Sequence, residues 1–417
     1  MKANLLLKIE HRKSRSGNGC FEILMIFPFL KRLFLFGFIF ISSQLPVLAG
    51  DSFSFNGYYK NFTAAYLPAC YGNLAGQPAR GAVNNRLRLK LSWDPGTIVS
   101  ANLAYDFSPR IQANSLFTDQ PSNKKGGAYR VEDLNSPFFG PRDNFAVYQN
   151  LDRAFVKWKT NSADIYLGRQ AIAWGSAKIV NPTDLLLPFP FNELDIEDRS
   201  GVDAIRFRLP AGAMSEVDAG YIFGRDFLAK QSASYLRNRF NLSGADISVV
   251  FLNFKENLLA GLDLSRSIGG AGFWVETAEV FSENNYLRVS SGFDYSFTDQ
   301  AYAFIEYHYN GAGENSSKKY LNNQTKPAYT EGAVYLLGRH YLTPGLNYQF
   351  TPLINSSGQA LINLQDGSVF FTPQIEYNIF PNTYLSLGAF AGSGRPLPHS
   401  EFGGYPDVYF FSFRLYF

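Results

Sequence analysis

Residues 86–105 read RLRLKLSWDPGTIVSANLAY, and this stretch decides the fold. Charged residues alternate with Leu from Arg86 to Leu91, and residues 94–97, DPGT, follow as a turn signal. Alternation at every residue puts the two sets of side chains on opposite faces of a β-strand, whereas a helix would need a period near 3.6. The stretch therefore predicts two antiparallel strands joined by a tight turn.

The same period of two returns along most of the chain. In residues 301–309 Ala, Ile and Tyr fill one face, and in residues 409–417 aromatic residues and Leu alternate with polar ones. We count eighteen segments of this kind, or sixteen if the two least regular, 234–240 and 354–364, are not strands.

Strand length and composition favour a membrane barrel over a soluble sandwich. The segments run to about 9–11 residues, which lets a tilted strand cross a bilayer, and no apolar run after residue 50 is long enough for a transmembrane helix. Aromatic residues make up 16% of the chain and charged residues 18%, against roughly 25% charged residues in soluble domains. One face of the strands is apolar, and an open sheet edge in lipid would leave backbone groups unpaired. We therefore predict an all-β fold, a closed transmembrane antiparallel β-barrel.

The lengths of the connections predict the orientation of the barrel. Short turns such as 94–97 and 297–300 alternate with long connections such as 109–147 and 311–335. Outer-membrane barrels have short periplasmic turns and longer outward loops, and an even number of strands returns the chain to the side where it began. We expect both termini to be periplasmic.

Residues 1–49 have the features of a secretory signal peptide. Two basic residues at 31–32 precede the apolar run LFLFGFIFISSQLPVLA, which ends at Ala49. Residues 1–24 are a polar segment before this signal, so Met25 is an alternative start. The leader holds seven Lys or Arg and two Asp or Glu, which leaves 31 basic and 33 acidic residues in the barrel segment 50–417. That balance does not indicate a nucleic-acid partner.

The leader, the alternating strands and the closing residues FFSFRLYF resemble Gram-negative outer-membrane porins. Residues 166–175, YLGRQAIAWG, are similar to the strand-to-loop region of alginate-export and related large specific porins. The resemblance implies an outer-membrane location, with lipid around the barrel and Phe413, Leu415 and Phe417 as a signal for the barrel assembly machinery. Such porins occur as trimers or monomers, so a homo-oligomer is an open alternative.

If the apolar face meets lipid, the other face lines the lumen. On the early strands this inner face predicts a basic wall of Arg86, Arg88, Lys90, Arg153, Lys157, Lys159, Arg206, Arg208, Arg237 and Arg239. On the later strands it predicts an acidic wall of Asp263, Glu276, Asp294, Glu306 and Glu376. Opposite charges across a pore would orient polar solutes and bias ion traffic. The alternative is that these side chains pair with each other and only keep the lumen hydrated.

The long connection near residues 173–200 is the candidate constriction of the pore. It is rich in Pro, Phe and Leu, which is too apolar for easy disorder, and loops of this length in compact folds are commonly functional. Its candidate residues are Trp174, Asp184, Glu193, Asp195, Glu197 and Asp198. We expect the connection to fold inward with its carboxylates facing the basic wall; the alternative is a plug packed among the outer loops.

Gly168 and Arg169, just before this connection, conflict with a simple alternation of lumen-facing and lipid-facing side chains. The period of two points Arg169 toward lipid, which is costly at mid-bilayer. Either the strand bulges near Gly168 or the membrane ends there.

The barrel segment lacks the sequence patterns of catalysis and of cofactor binding. His308, His340 and His399 are not spaced as metal ligands, and Cys70 is the single Cys that remains after the leader. Nucleophile-elbow, P-loop and dinucleotide-binding motifs do not occur. We predict neither an enzyme nor a bound cofactor.

Together these patterns predict a porin through which small polar or anionic solutes diffuse passively. Two other functions stay open from the sequence. The barrel could sheathe a multihaem electron-transfer partner, or it could act as a surface receptor through its outer loops.

Overall fold

The computed structural model describes residues 52–67, 79–113, 129–134, 136–142, 144–188 and 190–417. The predicted signal peptide, Cys70 and parts of two long connections lie outside the described residues. Among the described residues, no helix combines the length and the apolar character needed to cross a bilayer.

The described chain consists mainly of β-strands. They are β1 (Phe53–Leu67), β2 (Arg80–Trp93), β3 (Val99–Gln112), β4 (Ser136–Arg142), β5 (Phe145–Lys159), β6 (Asp164–Gln170), β7 (Val202–Gly212), β8 (Ser215–Ile222), β9 (Ala233–Leu242), β10 (Ala245–Phe254), β11 (Asn257–Ile268), β12 (Ala271–Phe281), β13 (Tyr286–Ser296), β14 (Ala301–Asn310), β15 (His340–Thr351), β16 (Ile354–Asn363), β17 (Val369–Phe371), β18 (Gln374–Phe380), β19 (Thr383–Ser393) and β20 (Asp407–Tyr416). Short helical segments lie in the connections, at Arg225–Phe227, Ala229–Gln231, Ser317–Thr325, Pro327–Thr330 and Phe402–Gly404.

Eighteen strands form one closed antiparallel barrel. β3 pairs directly with β5. β4 pairs with β5 along only part of its length, so we do not count it as one of the barrel strands. β17 and β18 both pair with β16 and β19 and therefore count as one interrupted barrel strand. β20 pairs with β1, which closes the sheet. The predicted count of eighteen is confirmed, and the two uncertain segments, 234–240 and 354–364, are β9 and β16.

Side-chain exposure separates the two faces of the strands as the alternation predicts. On β2, Leu89 and Leu91 are exposed, whereas Arg88 is buried. On β20, Phe411 is exposed, whereas Ser412 is buried. An outer surface of exposed Leu, Phe and Tyr suits contact with lipid, and the polar side chains face the interior.

The barrel has one end with short turns and one end where most connections are longer, which we call the turn end and the loop end; the two-residue turn between β10 and β11 is an exception at the loop end. The turns after β2, β5, β7, β9, β11, β13, β15 and β18 lie at the turn end. Phe53 pairs with Trp93, and Tyr416 pairs with Tyr58, so both ends of the described chain also lie at the turn end. The location of this end in the periplasm stays a prediction.

The seam between β20 and β1 includes the last residue of the chain. The backbone N–H of Phe417 donates to the carbonyl oxygen of Gly57 at 3.0 Å, and the N–H of Gly57 donates back at 2.8 Å. The rings of Phe55 and Phe417 lie 6.3 Å apart on the outer surface. Phe413 and Leu415 alternate with polar residues on the same strand. Their recognition by assembly machinery stays a prediction.

The conformation of Gly168 and an ion pair of Arg169 explain how the Arg169 side chain avoids lipid at the end of β6. Gly168 has a φ of 116°, and Arg169 is 6% exposed rather than directed into lipid. The Arg169 guanidinium lies 2.7 Å from the carboxylate of Asp203 on β7 and also donates to the carbonyl oxygens of Leu151 and Glu132. The charge is therefore compensated within the protein.

A buried carboxylate organises the connections at the loop end. Glu401, 1% exposed, accepts hydrogen bonds from the hydroxyl of Tyr341 at 2.5 Å, the amide of Asn363 at 2.7 Å and the backbone N–H of Leu337 at 2.8 Å. Its own N–H donates to Asp366. Burial raises the pKa of Glu401 to about 7, although the hydrogen bonds act in the opposite direction.

We expect the substitution Gly168→Ala to destabilise the barrel. A Cβ at this position would lie 2.3 Å from the carbonyl oxygen of Ala154, and the positive φ disfavours any L side chain. The cost should be about 1–3 kcal/mol in the free energy of unfolding, measured by urea titration in lipid vesicles. Gly358→Ala is the matched control, because its new Cβ would meet no atom closer than 3.8 Å. Equal stability of the two variants would contradict the expectation.

We expect the contact of residues 394–406 with the barrel to weaken as pH rises from about 4.5 to about 7. The pKa of Glu401 is higher in the folded protein than its ordinary value of 4.5, so the folded state holds a proton that the opened state releases. Raising the pH through this window therefore favours opening, and the effect levels off above pH 7. Hydrogen–deuterium exchange, corrected for intrinsic rates, should show this trend in the native protein. Its persistence in Glu401→Gln would refute the assignment.

Candidate functional site

The connection between β6 and β7, residues 171–201, passes through the interior of the barrel, and we call it the internal loop. Its first half contacts inner-face side chains of β11–β14, and its second half contacts those of β1 and β2. These two groups of strands lie on opposite sides of the ring in strand order. A segment bound to both has to cross the lumen.

Glu306 on β14 binds three successive backbone N–H groups of the internal loop. Lys178, Ile179 and Val180 donate to its carboxylate at 2.7, 3.2 and 3.2 Å, and the indole N–H of Trp274 donates at 3.1 Å. Hydrogen bonds to a charged acceptor are stronger than neutral ones. Glu306 is 1% exposed. The sequence predicted that its carboxylate faces the lumen, whereas in the structure its oxygens accept hydrogen bonds from the loop backbone.

Glu276 on β12 binds two further residues of the internal loop. Its carboxylate accepts hydrogen bonds from the N–H of Ala177 at 3.1 Å and from both the N–H and the hydroxyl of Thr183, at 2.8 and 2.6 Å. Gly175 has a φ of 106°, and a Cβ there would lie 2.7 Å from Glu276 Oε2. The glycine therefore permits the close approach of loop and strand.

Trp174 links two parts of the internal loop by a hydrogen bond and does not face the open lumen. Its indole N–H donates to the carbonyl oxygen of Thr183 at 2.7 Å, and its ring lies 4.9 Å from the ring of Tyr235 on β9. It is 6% exposed. Trp174 is thus a packing residue of the first half of the loop.

Two further residues of the predicted acidic wall bind the internal loop through side chains. Ser176 donates to Asp263, and the Lys178 ammonium lies 2.9 Å from Asp294. Lys178 also lies 5.0 Å from the ring centroid of Trp274. Within the described chain, four of the five predicted acidic residues therefore contact the internal loop.

The fifth acidic residue and the inward histidine have partners on other strands. Glu376 on β18 pairs with Arg414 on β20. The Nδ1 atom of His308 lies 2.8 Å from the hydroxyl of Ser290, which in turn lies 2.6 Å from the carbonyl oxygen of Val180. His308 thus supports the position of the internal loop.

The second half of the internal loop brings carboxylates to the basic residues of β1 and β2. Asp195 lies 2.8 Å from the Lys60 ammonium and 3.0 Å from the Arg86 guanidinium. Asp198 lies 3.1 Å from the Arg88 guanidinium. Burial alone would raise the pKa of Asp195, but Lys60 and Arg86 outweigh it and hold the pKa below its ordinary value.

Both sides of the barrel seam contact this half of the loop. Glu197 lies 2.6 Å from Lys60 on β1 and accepts a hydrogen bond at 2.7 Å from the hydroxyl of Tyr416 on β20. The hydroxyl of Tyr58 donates to Asp198 at 2.7 Å. Burial raises and the neighbouring Arg88 lowers the pKa of Asp198, with a net shift downward.

Most of the other predicted basic residues also have partners. The ion pairs on the strands are Arg153 with Asp152, Lys157 with Asp164, Arg206 with Asp218 and Arg208 with Glu216, and Lys90 lies 3.7 Å from Asp198. Arg237 donates to the hydroxyl of Ser248 at 2.7 Å and lines, with Arg239 and Asp263, a cavity of about 430 Å³ near the turn between β7 and β8. Lys159 is exposed at the end of β5.

Sequence reasoning missed several partners of these charges. Asp106 was detectable, because it lies between Tyr105 and Phe107, whereas Lys60 is followed by Asn61 and shows no such alternation. Asp152 was not detectable, because strict alternation puts it on the face opposite to Arg153. An irregular register between β3 and β5 at Ala104 lets both residues reach the interior, where Asp152 also contacts Arg88.

The middle of the internal loop borders a cavity inside the described part of the barrel. The cavity has a volume of about 550 Å³ and lies between loop residues 177–199 and inner-face residues of β13–β20. Asp184 and Arg199, an ion pair at 2.9 Å, line it together with Glu193. Burial raises the pKa of Asp184 to about 6, although Arg199 acts to lower it.

The chain has no match among protein-family models or among curated proteins. Solved structures do match. The outer membrane protein OpdK of Pseudomonas aeruginosa is 8% identical, with a TM-score of 0.54 over 88% of this chain and 99% of that chain. OccAB3 of Acinetobacter baumannii is 10% identical, with a TM-score of 0.53 over 88% and 100%. OccD3 (OpdP) of Pseudomonas aeruginosa is 10% identical, with a TM-score of 0.51 over 88% and 91%.

Identities this low establish the fold alone. The matches extend over nearly the whole length of the other chains, so the similarity concerns a complete barrel and not a shared hairpin. The described chain therefore has the fold of the outer-membrane porins of Gram-negative bacteria, as the sequence resemblance implied.

Proposed function

We propose that the protein is a passive outer-membrane pore for small polar solutes, narrowed by the internal loop. The observation that carries this proposal is a closed barrel whose interior holds a segment fixed to opposite walls. The gradient of the solute drives transport, and the barrel needs no cofactor for it. The shared fold with Gram-negative outer-membrane proteins supports the location.

The internal loop would set the width of the pore because its backbone is held at many points. Hydrogen bonds from residues 177–183 to Glu276 and Glu306 fix one side, and the ion pairs of Asp195 and Asp198 fix the other. A loop held in this way keeps a constant opening, which suits a diffusion pore.

The charged groups of the predicted basic wall would then interact mainly with carboxylates inside the protein, including those of the internal loop. Arg86 and Arg88 lie against carboxylates, so their charge reaches a passing solute only in reduced form. Near the turn end Arg237 and Arg239 line a cavity together with Asp263, so both signs of charge face that space. We therefore propose a weaker anion preference than ten unpaired basic residues would produce.

The arrangement favours a pore over the two alternatives. A sheath for a multihaem partner would need free space inside the barrel, and the internal loop crosses that space. A surface receptor would act through connections at the loop end and would not require a loop fixed to both walls. Solved structures of the same fold include OpdK with vanillate, a small organic molecule bound to that protein.

Deleting residues 183–198 should raise the single-channel conductance. The deletion removes the part of the internal loop that borders the 550 Å³ cavity and frees Lys60 and Arg86 from Asp195. Planar-bilayer recording of the refolded mature chain would measure the step size, after heat-modifiable gel mobility has shown that the barrel folds. A folded deletion variant with unchanged conductance would show that this loop does not limit the pore.

Glu276→Gln should make the open channel noisier. The amide presents a donor to the N–H groups of Ala177 and Thr183, and each lost hydrogen bond is worth about 0.5–1.5 kcal/mol. A loosened loop should cause frequent current fluctuations. Glu279→Gln is the matched control, since it makes the same change on the same strand but on the other face. Similar noise in both variants would contradict the role of Glu276.

A further inference from the structure

The 550 Å³ cavity has one wall of amide and hydroxyl side chains. Strands β15 and β16, together with the break between β17 and β18, contribute Asn347, Ser357, Gln359, Thr372 and Gln374. These residues can both donate and accept hydrogen bonds and carry no charge. Among the described lining residues, every side chain from β15–β18 is uncharged.

Another part of the cavity lining is apolar, next to charged residues of the internal loop. Leu194 and Ile196 of the internal loop line it, and Ile196 is 60% exposed. Phe390 and Phe410, from β19 and β20, form the adjoining surface with ring centroids 5.5 Å apart. The space thus offers a solute both uncharged hydrogen-bonding groups and apolar surface.

The charged residues that line the cavity are balanced, with Lys178, Arg199 and Arg288 against Asp184, Glu193 and Glu197. Lys178 lies 2.9 Å from Asp294, and Glu197 lies 2.6 Å from Lys60. Asp184 and Arg199 form the pair described above. A single ion that enters loses part of its hydration without meeting an excess of opposite charge, and this is unfavourable.

We propose that the solutes selected by this pore are uncharged and rich in hydroxyl groups, such as sugars and polyols. This inference rests on the pore function proposed above. A sugar ring carries hydroxyl groups around its edge and C–H groups on its faces. The edge matches the wall of Ser357, Gln359 and Gln374, and the face matches Ile196 and Phe390. The volume lies within the roughly 300–1,000 Å³ common for small-molecule sites.

The test compares three six-carbon solutes that differ in charge: glucose, gluconate and glucosamine. Entry into proteoliposomes with the same salt on both sides would be measured by mass spectrometry, so that counter-ions do not limit the flux. Because an uncompensated charge is costly to desolvate, we expect gluconate and glucosamine to enter about tenfold more slowly than glucose. Equal or faster entry of either charged solute would overturn the inference.

A second experiment tests whether the wall of amide and hydroxyl side chains causes the selectivity. Gln359→Leu keeps the approximate size and removes the hydrogen-bonding groups, so glucose entry should fall severalfold while salt conductance is retained. Gln349→Leu is the matched control, because Gln349 lies on β15 but is not among the residues lining the cavity. Equal glucose entry in both variants would overturn the assignment.

Salt conductance separates failure of this inference from failure of the pore function. A folded barrel that shows no conductance in planar bilayers would refute the pore itself, and with it the selectivity. A conducting barrel that admits gluconate or glucosamine at least as fast as glucose would leave the pore function standing and refute only the preference for uncharged solutes.

Discussion

The absence of water from the bilayer interior is the constraint on which the whole structure depends. Every backbone N–H and C=O within the hydrocarbon has to pair inside the protein, so the sheet can have no free edge. The pairing of β20 with β1 meets that demand and encloses an interior. Once the outer face is committed to Leu, Phe and Tyr, all remaining polar groups point into this interior. How those groups are satisfied then determines what the lumen can do.

The interior satisfies its charges largely through one segment of the chain. The first half of the internal loop offers backbone N–H groups to Glu276 and Glu306, and the second half offers carboxylates to Lys60 and Arg86. The loop thus meets each wall with the complementary sign. In the selectivity that we propose, solutes meet the side of the lumen where the strands carry amides and hydroxyls, and the charged residues most visible in the sequence are then poor guides to the solute.

The fold could be predicted from the sequence because alternation is a local property. Each strand shows it without reference to its neighbours, and the count of eighteen followed. The pairing of charges is not local. The partners of Glu306 are backbone groups of residues 178–180, which no side-chain pattern reveals. Asp152 reaches the interior only through an irregular register, which breaks the period used to place it. Sequence therefore predicted which residues are polar and inward, but not which of them solutes would meet.

The position of Glu197 has a consequence for the order of assembly. It contacts Lys60 on the first strand and Tyr416 on the last, so one loop residue bridges the two strands that join at the end of folding. A loop inserted after the seam has formed would have to enter through the loop end and thread past its own anchors. Insertion beforehand lets the loop serve as an internal template, against which the first and last strands align as the ring closes.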